Sequence, residues 1–270
     1  KLSSANINVM VKACRKAAKI LIRDFGEIEK LQVSLKGPGD YVTASDKKVE
    51  KILIEELQKA RPHYSILSEE IGEINNDLSF RWIIDPIDGT SNFLHGIPHF
   101  AISIGLEHNK EIICGIVYDP IKDEMFIAEK GNGAYMNNQR MRVSTRSKLK
   151  DCIIFSGGPR YGSENKELIF KEYIKFSSKV HIAIRKFGSG SLDMAYVAAG
   201  RSDGFDKFTK WEVKISHVIR EDDFAQKVWR VKRIAEGRTT LLSDTVRDIR
   251  RQADTLIELS RRRRNEYWYC

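Results

Sequence analysis

The stretch Trp82–Phe93, WIIDPIDGTSNF, carries an apolar run straight into two aspartates, Asp85 and Asp88, with Pro86 between them. The run reads as a buried strand, and the two charges stand at its end. Carboxylates held this close repel each other unless a cation lies between them. A hard cation such as Mg²⁺ takes oxygen ligands in tight geometry. Pro86 fixes φ and lacks an N–H, which helps to turn the Ile87 carbonyl and Asp88 to one side. Gly89, Thr90, Ser91 and Asn92 then offer small side chains and backbone N–H groups, the makings of an anion site at a helix start. A metal beside a phosphate pocket is what phosphoester hydrolysis needs.

Three rival readings can be set against the letters. A calcium-binding EF-hand loop beginning at Asp85 requires Glu at its twelfth place, where Gly96 stands. A nucleophile loop of the haloacid-dehalogenase type requires Asp-x-Asp, and this chain has Asp-x-x-Asp. A solvated Asx-turn at the strand end stays open. Upstream company weighs against that bland reading. Glu69 and Glu70 follow the short strand "SIL", and Thr43-Ala44-Ser45-Asp46 closes another short strand and opens a helix. Three acidic strand ends in succession suggest one site.

Moving outward, Ile7, Val11, Cys14, Ala18, Leu21 and Phe25 recur at helical steps and predict an amphipathic helix closed by Gly26. A second helix is expected over about 46–60, stopped by Pro62. From Arg81 to Val143 the pattern changes to short segments rich in Ile, Val and aromatics between Gly, Asn, Asp and Pro, an antiparallel sheet with tight turns. "CIIFSGG" predicts a strand and "NKELIFKEYIKFSSK" a helix. "HIAIRKFGSGSLDMAYVAAGRSDGF" predicts a strand, a Gly-Ser turn and a small-residue helix. Together these give a layered α/β sandwich. The expected divisions are 1–145, a helix pair with the sheet that carries the site; 146–205, the start of a second α/β lobe; and 206–270, a basic terminal segment.

The chain has 270 residues, enough for a large single domain or two packed lobes. With 41% hydrophobic and 31% charged residues it has an ordinary globular composition. No apolar stretch is long enough to span a bilayer, and the N-terminal segment is too interrupted by Lys and Arg for a signal peptide. Cys14, Cys114, Cys152 and Cys270 are scattered, which favours reduced thiols and a cytoplasmic setting. Net charge is +9, and residues 206–270 contribute 16 Lys and Arg against 11 Asp and Glu. That excess admits a nucleic-acid partner, but there is no RNA-binding motif or aromatic–basic interleaving to support one.

"DYVTASDKKVEKILIEEL", "SILSEEIGE", "WIIDPIDGTSNFLHGIPHFAISIGL", "GIVYDPIKDEMFIAEKGNGAYMNN" and "GSGSLDMAYVAAGRSDGF" closely resemble the inositol monophosphatase family, over about residues 5–205. The resemblance implies an αβαβα sandwich that hydrolyses phosphate monoesters with two or three Mg²⁺ ions and is inhibited by Li⁺. It implies Glu69, Asp85, the Ile87 carbonyl and Asp88 as metal ligands. Asp46 and Thr90 would orient and deprotonate the attacking water, with Glu69 also at the catalytic centre. The Gly89 and Thr90 N–H groups would hold the phosphate beside Ile87 and Asp88. Gly188 and Ser189, with Arg185 nearby, would approach the polyol. The expected substrate is a small phosphorylated molecule, myo-inositol monophosphate first, with nucleotide 3′-phosphates or sugar phosphates as alternatives. The resemblance also implies a homodimer. Some bacterial relatives act in ribosomal RNA transcription and maturation, so a non-catalytic protein- or RNA-binding role is the rival reading.

The resemblance weakens after Phe205. The family continues with Trp-Asp followed by small residues and a closing Glu-Ala-Gly-Gly stretch, and its aspartate is a ligand of the second metal. Here the nearest text is "KWEVKISHVIREDD", with Glu212 as the candidate for that ligand. Further on, Leu242, Val246, Ile249, Ala253 and Leu256 form a narrow helical stripe. An acquired interaction segment, a frame change or insertion, and a divergent closure of the fold all account for such a tail. The abruptness of the change favours the second, with a second lobe left incomplete and activity reduced.

Overall fold

The computed structural model describes residues 4–27, 33–37, 40–146, 151–157, 174 and 183–206. Glu212, the 242–256 stripe and nearly all of the helix expected in "NKELIFKEYIKFSSK" lie outside them. The chain starts with α1 (Ala5–Phe25), whose N-cap Ser4 accepts from the Ile7 N–H at 3.3 Å. Its buried face is Ile7, Met10, Ala13, Cys14, Ala17, Ala18 and Leu21. That face is turned slightly from the predicted stripe, and Val11 and Phe25 lie at its margin. A hairpin, β1 (Val33–Gly37) and β2 (Asp40–Thr43), leads into α2 (Ala44–Ala60). This helix buries Val49, Leu53, Ile54 and Leu57.

An eight-stranded sheet follows, with strand order β10-β9-β8-β7-β6-β5-β3-β4. Its strands are β3 (Tyr64–Ser68), β4 (Gly72–Ile74), β5 (Asp77–Asp88), β6 (Ala101–His108), β7 (Glu111–Asp119), β8 (Glu124–Glu129), β9 (Gly133–Met136) and β10 (Gln139–Arg140). From β5 to β10 the sheet is the antiparallel meander the spacing predicts. Two of its hairpins turn on residue pairs with positive φ, Asn109-Lys110 and Asn137-Asn138, the backbone that tight hairpin loops require. The sheet as a whole is mixed, because β3 pairs with β5 in parallel. Alternate residues Trp82, Ile84, Ile102, Ile104, Leu106, Cys114 and Ile116 form one core with α1 and α2.

The opposite face carries Ile83, Ser103 and Val117, all buried. The helix α4 (Gly190–Ala198) packs there against β6 and β7, and it also touches β13 (Gly204–Asp206). A second sheet, β12-β11-β13, is all parallel, built from β11 (Ile153–Ser156), β12 (Ala183–Arg185) and β13 (Gly204–Asp206). A five-residue helix, α3 (Thr90–Leu94), follows β5. The result is a mixed α/β sandwich. No helix among the described residues is long and apolar enough to cross a membrane.

Candidate active site

The Asp-x-x-Asp spacing has a structural cause that the letters alone do not reveal. In a regular strand, residues three apart point to opposite faces. Here Asp85 pairs with Ser103 and Asp88 with Ala101, so three steps on β5 match two on β6. The extra residue is a β-bulge at Pro86-Ile87, and it brings both aspartates to the face opposite the α1–α2 core. Pro86, unable to donate to a ladder, is suited to the bulge. Ile87 is left in the apolar core with Phe93 and Phe100.

The turn that follows is fixed by sterics. Gly89 has φ 100°, and a Cβ there would lie 3.1 Å from the His99 carbonyl oxygen and 3.3 Å from Phe100 Cα. Glycine is therefore required on two independent grounds. Thr90 opens α3 and donates from Oγ1 to the Ile87 carbonyl at 2.9 Å, leaving that oxygen a second lone pair.

Asp85 is 1% exposed, at the sheet interior. Ser68, the last residue of β3, pairs with Ile84, so Glu69 leaves the sheet alongside Asp85. Glu69 is exposed, at the head of a turn, with Glu70 half-buried behind it. Asp46 is buried in the first turn of α2, beside Ser45, whose hydroxyl donates to Asp24 of α1 at 2.7 Å. Burial acts to raise the Asp24 carboxyl, but its bonds to Ser45 and Arg23 outweigh that and hold it below its usual range.

Asp88 reaches away from the sheet to α4. Its Oδ2 accepts from Ser189 Oγ at 2.7 Å, from the Ser191 N–H at 2.7 Å and from the Ser191 hydroxyl. A carboxylate capping a helix start is favourably placed. Asn92 makes a second crossing, donating from Nδ2 to the carbonyls of His99, at 2.7 Å, and Phe187, at 2.5 Å. Gly188 packs on that amide with φ 89°. Thus Gly188 and Ser189 are brought to Asp88 and Asn92. Arg185 lies further off, exposed at the end of β12, with Nη1 donating to the Ile184 carbonyl at 3.0 Å. Beneath the crossing, His99 Nε2 lies 3.4 Å from Asp193 Oδ1, both residues buried. Burial raises the Asp193 carboxyl, the charge of Asp88 adds to this, and His99 opposes it.

The oxygen-only donor set suits a hard divalent cation in type. Register sets Glu69 beside Asp85, and the bulge sets Asp88 on the same face as Asp85. Among the described residues, however, no three His, Cys, Asp or Glu side chains are gathered closely enough to form a ready-made metal cage. The site is therefore a set of neighbouring carboxylates on a fixed frame. Ser191, His99 and Glu50 are parts of it that the sequence reading passed over, and Asn92, expected to offer its backbone N–H, acts through its side-chain amide. Only Glu50 had a visible signal, a charged residue on the buried face of α2 between Val49 and Leu53.

Acidic strand ends beside a glycine turn, on a mixed α/β sandwich, suit a cation and a phosphate held side by side. The chain belongs to the inositol monophosphatase family, whose model matches residues 4–215, and so to a family of phosphatase enzymes. The match runs past Trp211 and Glu212, further than the quoted motifs. An inositol-1-monophosphatase of Rhizobium meliloti (strain 1021) is 54% identical over 203 residues, 75% of this chain and 76% of that one. The Nus factor SuhB of Escherichia coli (strain K12) is 37% identical over 204 residues, 74% of each. Among solved structures, the extragenic suppressor protein suhB from Bartonella henselae superposes with a TM-score of 0.71 at 51% identity, covering 76% of this chain and 78% of that one.

Proposed function

We propose that the protein hydrolyses a phosphate monoester, myo-inositol monophosphate first, with the help of Mg²⁺. The observation that carries the proposal is the bulge that puts Asp85 and Asp88 on one face, alongside Glu69 and joined to the Gly188-Ser189 turn. Glu69, Asp85, the Ile87 carbonyl and Asp88 would hold the ions, with Glu212 as the further candidate. Ions bound there supply charge neutralisation to the phosphoryl oxygens and acidify a water.

The chain's own residues divide the remaining work. Asp46 and Thr90 orient the attacking water and take up its proton. The Gly89 and Thr90 N–H groups hold the phosphate, and Gly188 and Ser189, with Arg185 at the rim, meet the polyol. Phosphate-monoester hydrolysis is extremely slow without catalysis, so several oriented groups are needed. A cytoplasmic setting and a homodimer belong to the same reading, the first supported by the free thiols of Cys14, Cys114 and Cys152 among the described residues.

The test is phosphate release from myo-inositol 1-phosphate with and without Mg²⁺, and with Li⁺ as inhibitor. Asp88→Asn keeps an oxygen for Ser189 and Ser191, so it should fold. Its phosphate release should fall by more than the ~10–100-fold that loss of an outer-shell partner costs. Full activity in that variant would sink the assignment. A second reading, protein or RNA binding beside the transcription machinery, draws on the relatives named Nus factor and on the +9 charge. No phosphate release, together with RNA binding that weakens steeply with salt, would favour it.

A further inference from the structure

Glu50 is 1% exposed and lies one helical turn beyond Asp46 on α2. Its Oε1 accepts from the Ser68 hydroxyl, from the Glu70 N–H at 3.0 Å and from the Ile71 N–H at 3.2 Å. Those donors bracket Glu69. Ser68 precedes it, and Glu70 and Ile71 follow it, so one carboxylate oxygen grips the side chain before Glu69 and the backbone after it. Glu69 itself is exposed and heads the turn between β3 and β4, so its place is set by the backbone of that turn.

We infer that Glu50 is a positioning residue, which sets the Glu69 turn against the start of α2 and so fixes Glu69 relative to Asp46. The inference rests on the reading of Glu69 as a Mg²⁺ ligand and Asp46 as a water-orienting group. Its physical basis is the geometry of a helix. Asp46 and Glu50 are four residues apart and therefore on one face, so a group bonded to Glu50 is held at a set distance from Asp46. Burying a carboxylate is unfavourable unless donors surround it, and here the donors belong to the turn that carries the ligand. An apolar side chain would fill the same space beside Val49 and Leu53 but would leave the turn untied. Outer groups that orient a ligand govern metal affinity as strongly as this.

A purely structural role, tying β3 to α2, would lower stability and leave metal binding alone. The experiment separates the two with Glu50→Ala, Glu50→Asp and Glu50→Gln in the full chain. Amide hydrogen exchange at Glu70 and Ile71 is measured without metal, Mg²⁺ binding by calorimetry, and phosphate release against Mg²⁺ concentration. In Glu50→Ala, exchange at Glu70 and Ile71 should accelerate while the strands of the central sheet stay protected. Mg²⁺ binding should weaken about 10–100-fold. The Mg²⁺ concentration for half-maximal phosphate release should rise by the same factor, with KM at saturating Mg²⁺ nearly unchanged. Glu50→Gln keeps an acceptor oxygen and should recover part of the affinity, and it preserves the test if the alanine variant does not fold. A lower melting temperature with unchanged Mg²⁺ affinity in all three variants overturns the inference and leaves the phosphatase reading intact. Weakened Mg²⁺ binding in a protein that never releases phosphate supports the inference and overturns the phosphatase reading. A wild-type chain that binds no Mg²⁺ overturns both.

Discussion

Asp85 and Asp88 stand on β5 where it pairs with β6, its neighbour along the chain, while the groups facing them from α4 arrive about a hundred residues later. Ser189 and Ser191 are 101 and 103 positions from Asp88, and Phe187 is 95 from Asn92. The aspartate side is thus held by the ladders of β5 with β3 and β6 and by a core shared with α1 and α2. The α4 side packs on β6 and β7 and is tied to Asp88 and Asn92 by side-chain hydrogen bonds, each worth about 0.5–1.5 kcal/mol when neutral and about 1.5–3 kcal/mol when one partner is charged. The lesson is that the two halves of one site should fail differently. Damage to the first should cost the fold together with catalysis, whereas damage to the second should cost fit to the substrate first.

The two glycines at the junction put this to the largest test. Both have positive φ, so alanine at either carries about 1–3 kcal/mol of backbone strain. At Gly89 the added Cβ also meets backbone, the His99 carbonyl at 3.1 Å. At Gly188 the nearest atoms belong to the Asn92 side-chain amide, at 3.0 Å, which can shift by weakening its bonds to His99 and Phe187 and without moving backbone. Gly89→Ala should therefore show the larger drop in melting temperature and lose phosphate release on every substrate. Gly188→Ala should melt closer to the wild type. Equal losses in the two would mean that the sides are not separately supported.

Asn92→Ala is the next and gentler break. It removes both amide donations across the junction, to the part-buried His99 carbonyl and the exposed Phe187 carbonyl, at about 0.5–1.5 kcal/mol for each bond lost. The metal-side frame keeps its own register. KM for myo-inositol 1-phosphate should rise several-fold, while turnover of p-nitrophenyl phosphate, which has no polyol, should change little. A parallel collapse on both substrates would refute the division.

What could be read in the letters follows the same divide. Helical stripes and strand runs announced α1, α2 and the β5–β10 meander because each buries its face locally, in a period the sequence must display. The acidic strand ends were legible for the same reason. The bulge at Pro86-Ile87 was not, since it exists only relative to β6, and neither was the parallel pairing of β3 with β5. Ser191 gave no signal, and Asn92 was read only for its backbone N–H, not as a bridge. Small polar residues near turns are common, and only a partner far along the chain makes a bridge of them. Glu50 was visible as a charge in an apolar setting, but its partners belong to another element.

The smallest expected effect concerns the far end of α4. Arg201, just past the helix, is paired through both terminal nitrogens with Glu124 of β8, at 2.6 and 2.5 Å, and lies 4.6 Å from the Tyr196 ring centre. The Arg201 hydrogen bonds hold the Glu124 carboxyl below its usual range against the opposing effect of burial. A group whose folded pKa is depressed adds stability above its unfolded pKa and loses it as pH falls through the folded value. The pair should therefore support the protein at neutral pH and release α4 from β8 in acid. Partly exposed, it should be worth about 1 kcal/mol or less, which is about 2–4 °C at most for a chain of this size. Asp24 and Asp203 are also held low, each by hydrogen bonds that outweigh burial, so acid weakens the wild type at several points at once. The informative quantity is then the difference between wild type and Arg201→Gln. Their melting temperatures should differ at pH 7 and converge as the pH drops below the ordinary glutamate range, because only the wild type still has the pair to lose. A gap that stays constant with pH would mean that Arg201 acts through its packing on Tyr196, and that the last tie between the polyol side and the sheet is apolar.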